Sequence, residues 1–289
     1  MFKKLFKKES GMRKRKTLLL VIGFVLILAT PAWAIFTNGG FESGDFTGWT
    51  TGFGLNPGLT GSPPFNETNI VINAGGTFDS LIIGPGTVQD PRTDNLLQLP
   101  REGTHTAKVN DENGGYHINY IMQSDVITEA DRDPGDNLLH VRFRFAAVME
   151  DPGHPPADQP FFHVYLKDLT AVTTLFDSFA YSNQPGVTWN TSTMSPGWLW
   201  LDWQSIDITV PDASLGHTLS IRALAADCAQ GAHGGYVYLD GFGSAPPPPP
   251  PPPQVITPVP TLTEWGMILF MVLAGAGSLY YLRRRKAEK

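Results

Sequence analysis

The chain has 289 residues, 42% hydrophobic and only 17% charged, with 30 glycines, 25 prolines and a single cysteine. That balance favours short strands and many turns over long helices, and one cysteine excludes any intramolecular disulfide. The net charge of −6 conceals an asymmetry, because 24 of the 27 acidic residues but only 8 of the 21 basic ones lie between Ile35 and Leu262. A body this acidic repels phosphate backbones, so nucleic acid is not expected as a partner.

The N-terminus carries Arg13, Lys14, Arg15 and Lys16, then an apolar run over residues 17–29, then Pro31-Ala32-Trp33-Ala34. A basic segment, a short apolar run and a small-residue A-x-A site are the parts of a secretory signal peptide, with cleavage expected after Ala34. The apolar run is too short to span a bilayer comfortably. The basic segment is long, and Met12 offers a second possible start.

Residues 35–245 are expected to form one all-β domain. Short β-type runs are predicted over residues 69–72, 105–109, 116–122, 138–147, 161–166, 205–210, 218–223 and 235–240, separated by clusters of Gly, Pro, Asn and Asp. In Val141-Arg142-Phe143-Arg144-Phe145, apolar and charged residues alternate, as in an antiparallel strand with one face on a core. About eight such strands predict an antiparallel jelly-roll sandwich.

Residues 246–258 open with eight consecutive prolines, Pro246 to Pro253. These predict a polyproline II spacer roughly 25 Å long. Residues 259–289 contain an uncharged, mostly apolar stretch, 265–282, followed by Arg283, Arg284, Arg285 and Lys286. Eighteen such residues just span a bilayer, Trp265, Tyr280 and Tyr281 sit at its ends, and the basic cluster should stay cytoplasmic, leaving the β domain outside. The expected place of the protein is therefore the cell envelope, anchored by this helix or processed to the surface.

The start of that tail, Val259-Pro260-Thr261-Leu262-Thr263-Glu264-Trp265-Gly266 ahead of an apolar helix and arginines, resembles the IPTL-type C-terminal sorting signals of Gram-negative bacteria, relatives of the PEP-type signals. Val259 stands where that group has Ile, and Thr263 where it usually has Ser. The resemblance implies that a membrane-embedded, exosortase-type cysteine transpeptidase processes the tail.

The stretch Asn38-Gly39-Gly40-Phe41-Glu42-Ser43-Gly44-Asp45-Phe46-Thr47-Gly48-Trp49 resembles the opening of galactose-binding-like jelly rolls, including many carbohydrate-binding modules. Gly235-Tyr236-Val237-Tyr238-Leu239-Asp240-Gly241-Phe242 resembles their closing strand, which pairs with the first. The resemblance implies a structural Ca²⁺ held by Glu42 and Asp240, with backbone carbonyls from residues 101–104; hard oxygen donors suit that ion. The alternative is that Glu42 caps a turn and Asp240 is exposed. Asp151-Pro152-Gly153-His154 and the segment from Asp227 to Tyr236 also resemble bacterial surface jelly rolls of no assigned chemistry.

Chemistry of other kinds finds little support. There is no G-x-S-x-G and no H-E-x-x-H. His154, Asp158 and His163 are close in sequence and are candidates to gather at one loop, and Cys228 reads as a lone buried thiol. Trp189, Trp198, Trp200 and Trp203 cluster. Two readings stay open for them: a platform that stacks on sugar rings, with Trp198 and Trp200 on one face of a strand, or part of the core. The expected function is a non-enzymatic surface or matrix protein. A glycan-binding adhesin is the alternative, and a secreted glycan-acting enzyme the third.

Overall fold

A computed structural model describes residues 36–243, apart from 62–64, 66, 68 and 87, and the helix over 262–287. The signal peptide, the proline spacer and the motif residues Val259, Pro260 and Thr261 lie outside the described residues.

The described strands, in chain order, are β1 (Thr50–Leu55), β2 (Ile72–Ala74), β3 (Leu81–Ile83), β4 (Val88–Gln89), β5 (Gln98–Leu99), β6 (Thr106–Val109), β7 (His117–Val126), β8 (Leu139–Glu150), β9 (Phe161–Asp168), β10 (Thr173–Tyr181), β11 (Asn190–Thr191), β12 (Trp198–Val210), β13 (Thr218–Ala226) and β14 (Gly235–Gly243). They form two antiparallel six-stranded sheets, ordered β10-β9-β13-β7-β1-β2 and β11-β12-β8-β14-β6-β3, with β4 and β5 as a separate hairpin. From β6 to β9, and again from β12 to β14, the chain crosses between sheets at each step, as in a jelly roll.

Period-two patterning explains the sandwich. In β8, Val141, Phe143, Phe145, Ala147 and Met149 face the interior, where Phe162, Val164 and Leu166 of β9 and Ile221 and Ala223 of β13 meet them from the other sheet. On the opposite face of β8, Arg142 pairs with Asp207 at 2.8 Å and Asp133 at 2.7 Å, and Arg144 pairs with Glu102. The N-terminal segment closes one end of the core. Phe41, at φ 59°, stacks on Trp49 at 5.0 Å, and Phe36 lies 4.0 Å from Phe242. Phe242 N donates to Gly39 O at 3.1 Å. A Cβ on Gly39 would sit 1.7 Å from the Phe242 carbonyl oxygen, so only glycine permits this seam.

Two further clusters lie outside the main core. The hairpin β4–β5 and its linker cover the outer face of the second sheet, with Leu97 and Leu99 packed on Ala146, Val148, Trp198, Trp200, Tyr236 and Tyr238. On the outer face of the first sheet, Leu59 and Phe65 pack with Ile118, Phe161, Tyr181 and Leu224.

The second unit of the chain contains helix α1 (Leu262–Ala287), whose described side chains are exposed. Its stretch Gly266–Lys286 is long and apolar enough to cross a bilayer, with mean hydropathy 1.4.

Candidate functional site

Glu42 and Asp240 come from opposite ends of the sandwich sequence, and the structure brings both to the loop over residues 101–105. Asp240 is fully buried on β14; its Oδ2 accepts from Arg101 N (2.8 Å) and Glu102 N (2.9 Å), and its Oδ1 from Gly241 N (2.7 Å). Glu42, half-exposed, accepts from Thr104 N at 2.9 Å, Thr104 Oγ1 at 2.6 Å and His105 N at 3.2 Å. The loop thus turns N–H groups, rather than the expected carbonyls, towards these carboxylates. Gly103, at φ +55°, lies where a Cβ would be 2.1 Å from Glu42 Oε1.

Burial pushes the Asp240 carboxyl up to about 8; the N–H groups of Arg101 and Gly241 oppose this, and the nearby Glu42 charge adds to it. Partial burial pushes the Glu42 carboxyl up, but its hydrogen bonds from Thr104 and His105 outweigh that and hold it below the ordinary value. Asp240 Oδ1 and Glu42 Oε2, which accept one hydrogen bond each, keep a second lone pair.

The tryptophans take the core alternative. Trp198 and Trp200 do share a face of β12, but they are only 4% and 6% exposed, which corrects the sugar-platform reading. The strap over residues 88–99 seals them in. Arg92 lies 4.9 Å over the Trp198 ring, and Trp203 Nε1 donates to Gln98 O at 3.0 Å. Asp90, also buried, accepts from Tyr236 Oη at 2.9 Å and Tyr238 Oη at 2.7 Å. Asp94 accepts from Ser192 Oγ, Thr193 N and Met194 N, tying the strap to the β11–β12 turn.

The open face is on the first sheet. A cleft of about 470 Å³ is lined by His163, Tyr165 and Lys167 of β9, Asp177 and Phe179 of β10, Arg222 of β13, and Phe65 and Glu67 from the β1–β2 connection. Strand periodicity puts alternate β9 residues on this side, and the register sets Phe179 opposite His163 and both Asp177 and Arg222 opposite Tyr165. Glu67 organises the floor. It accepts from His163 Nδ1 at 2.5 Å and Arg222 Nη2 at 2.8 Å. Burial pushes its carboxyl up, but the His163 hydrogen bond and the Arg222 charge outweigh that and hold it at about 2. The Lys167 ammonium and the Arg222 guanidinium sit 4.1 and 4.6 Å from the Tyr165 ring centre. His163 Nε2 lies 3.3 Å from Asp177 Oδ1, and both it and Arg222 Nε are buried atoms without a hydrogen bond.

The expected gathering of His154, Asp158 and His163 does not occur. His163 is in this cleft, His154 lies beside His233 at a 5.1 Å ring separation, and Asp158 binds Gln230 Nε2 at 2.9 Å. Sequence reasoning missed Tyr165, Arg222 and Glu67. The signal for part of the site was His163-Val164-Tyr165-Leu166-Lys167, a strand whose outer face mixes an aromatic with titratable groups.

Residues 257–285 match the IPTL-CTERM motif. This stretch contains Leu262, Glu264, Trp265 and Gly266, at the start of α1, and the residues before it. Similar solved structures include one of the carbohydrate-binding modules from the β-sandwich superfamily (12% identity, 74% of this chain, TM-score 0.31). The chain spans 62% of that one's length. Others are the Stig cyclase Fisc from Fischerella sp. TAU (17% identity, 72% of this chain and 94% of that, TM-score 0.33) and a Caldicellulosiruptor saccharolyticus carbohydrate-binding module in complex with mannohexaose (13%, 54% and 79%, TM-score 0.29). The ligands and reactions in these names are those of the proteins named. No curated protein matches the chain by sequence.

Proposed function

We propose that this is an exported, non-catalytic surface protein whose β-sandwich binds a glycan in the cleft of its first sheet and whose tail is processed by an exosortase-type enzyme. The observation that carries the glycan reading is the open cleft of about 470 Å³ in which the rings of Tyr165 and Phe179 stand beside the charged groups of Lys167, Asp177 and Arg222. Glu67 fixes the His163 ring and the Arg222 guanidinium in this cleft through its contacts to Nδ1 and Nη2. A sugar hydroxyl both donates and accepts, and the apolar face of a pyranose packs on aromatic rings. Glu67, held at about 2 and paired with Arg222, is ionised and so is not a general acid.

The test is a glycan screen with the full chain in detergent, followed by calorimetry on any ligand found. Tyr165→Ala and Arg222→Ala should each weaken binding at least tenfold, while Trp200→Phe should not. Loss of binding only in Trp200→Phe would overturn the site.

The same reading includes a structural Ca²⁺ held by Glu42 and Asp240. A cation bound only by the folded state raises stability by mass action. The protein should therefore melt higher in excess Ca²⁺ than in chelator, by several degrees, and Glu42→Gln and Asp240→Asn should erase the difference. Equal Ca²⁺ dependence in parent and both variants would place the ion elsewhere, and none in the parent would remove it.

A further inference from the structure

Two loops meet beyond the ends of β8 and β13, and both belong to segments that the glycan cleft leaves unused. In the first, residues 151–160, Asp158 O accepts from Ala229 N of the second at 2.9 Å. The second, residues 227–234, closes on itself through Cys228 N donating to His233 O at 3.0 Å. Behind it there is no slack. A Cβ on Gly114 would meet His233 N at 2.0 Å, and one on Gly234 would meet the Glu112 backbone at 2.5 Å.

This frame holds His154, Cys228 and His233 with their ligand atoms all within 4.8 Å of one another. Cys228 Sγ is 3.4 Å from His233 Nδ1, the two imidazole rings are nearly perpendicular at 82°, and His154 Nδ1 is buried with no partner. The ligand atoms of a tetrahedral Zn²⁺ stand about 3.3–3.6 Å apart, given Zn–S of about 2.3 Å and Zn–N of about 2.0–2.1 Å. The Sγ–Nδ1 pair already has that spacing, and a movement of about 1 Å by His154 completes the set.

We infer that His154, Cys228 and His233 form a binding site for a Zn²⁺ ion and supply three of its ligands. Two imidazoles and a thiolate are borderline-soft donors that prefer Zn²⁺ to Ca²⁺ or Mg²⁺. On binding, the Cys228 S–H bond breaks, an S–Zn bond forms and the proton leaves to solvent, with no change of oxidation state. A cysteine beside a histidine also has a use as a nucleophile. Here the residue is fully buried and its Sγ contacts Gly231 O at 3.0 Å, so a substrate has no approach to it. The ion would staple two loops in a chain whose single cysteine forms no internal disulfide.

The site is tested on the full chain, without a histidine tag, in detergent, stripped with chelator and titrated with Zn²⁺ or with Co²⁺ as a spectroscopic probe. One Zn²⁺ per chain should bind with Kd below about 1 µM. Co²⁺ should produce a thiolate-to-metal charge-transfer band that Cys228→Ser abolishes. His154 lies half-buried on a loop, so His154→Ala should keep the parent circular dichroism while weakening Zn²⁺ at least tenfold. A missing charge-transfer band, or Zn²⁺ affinity unchanged in His154→Ala and His233→Ala, would overturn the inference.

Discussion

The two sheets carry aromatic side chains on both outer faces, yet one face is sealed and the other open. On the second sheet, Trp198, Trp200, Tyr236 and Tyr238 lie under the strap over residues 88–99, which supplies Leu97, Leu99 and the buried Asp90. On the first, Tyr165 and Phe179 stand in a cleft whose polar groups are only partly paired. Density of aromatics is therefore a poor guide to a binding face; what covers them decides. A tryptophan with no covering element is a platform, and the same tryptophan beneath two leucines is core.

Truncating an aromatic on each face breaks or sharpens this contrast. Trp198, 4% exposed and 5.8 Å from Tyr236, should behave as core. Trp198→Ala should cost about 3–5 kcal/mol, as large-to-small changes in packed interiors do, and lower Tm by roughly 10 °C. Tyr165→Ala, on the open face, should shift Tm far less. Thermal melts of the two variants side by side decide it. A Trp198→Ala protein as stable as the parent would mean that the strap does not seat on the sheet.

The same contrast shows what was legible in the sequence. The strands β6, β7, β8, β9, β13 and β14 were foreseen because their apolar residues alternate, and that alternation survives in the packed core. The predicted strand over 205–210 is only the second half of β12, which begins at Trp198 and is interrupted by a bulge between Leu201 and Gln204. β1 was not foreseen, because Gly52 and Gly54 weaken a strand signal. In the structure their missing side chains make room, since a Cβ on Gly52 would lie 2.1 Å from Tyr120 Cε1 and one on Gly54 2.3 Å from Val71 O. The glutamate and aspartate of the opening and closing segments were legible through resemblance, and they do converge on one loop. The sealing of the tryptophans was not, because it depends on Asp94, roughly a hundred positions away in sequence, gripping the Ser192–Met194 turn. Glu67 was invisible for the same reason: nothing near it in sequence announces Arg222 or His163.

Glu67 supplies the smaller of the expected effects, and it concerns the open face alone. Its carboxyl is held at about 2 in the folded protein against an ordinary value of 4.5. A group whose folded value is depressed contributes stability that is present in full above the unfolded value and lost as the pH falls towards the folded one. The Glu67 contribution should thus be intact above about pH 4.5 and disappear between there and pH 2, with an upper magnitude on the order of 3–4 kcal/mol. Other carboxylates, such as Asp168 and Asp207, are also lowered and give every variant some acid sensitivity. The informative quantity is the difference between parent and Glu67→Gln, followed by denaturant unfolding from pH 6 to pH 2.5. The variant should be less stable than the parent at pH 6, and the gap should close as the pH falls. A gap that stays constant across that range would mean that the His163–Glu67–Arg222 frame carries no charge-dependent energy. Glu67 would then not be what holds the His163 and Arg222 side chains of the cleft in place.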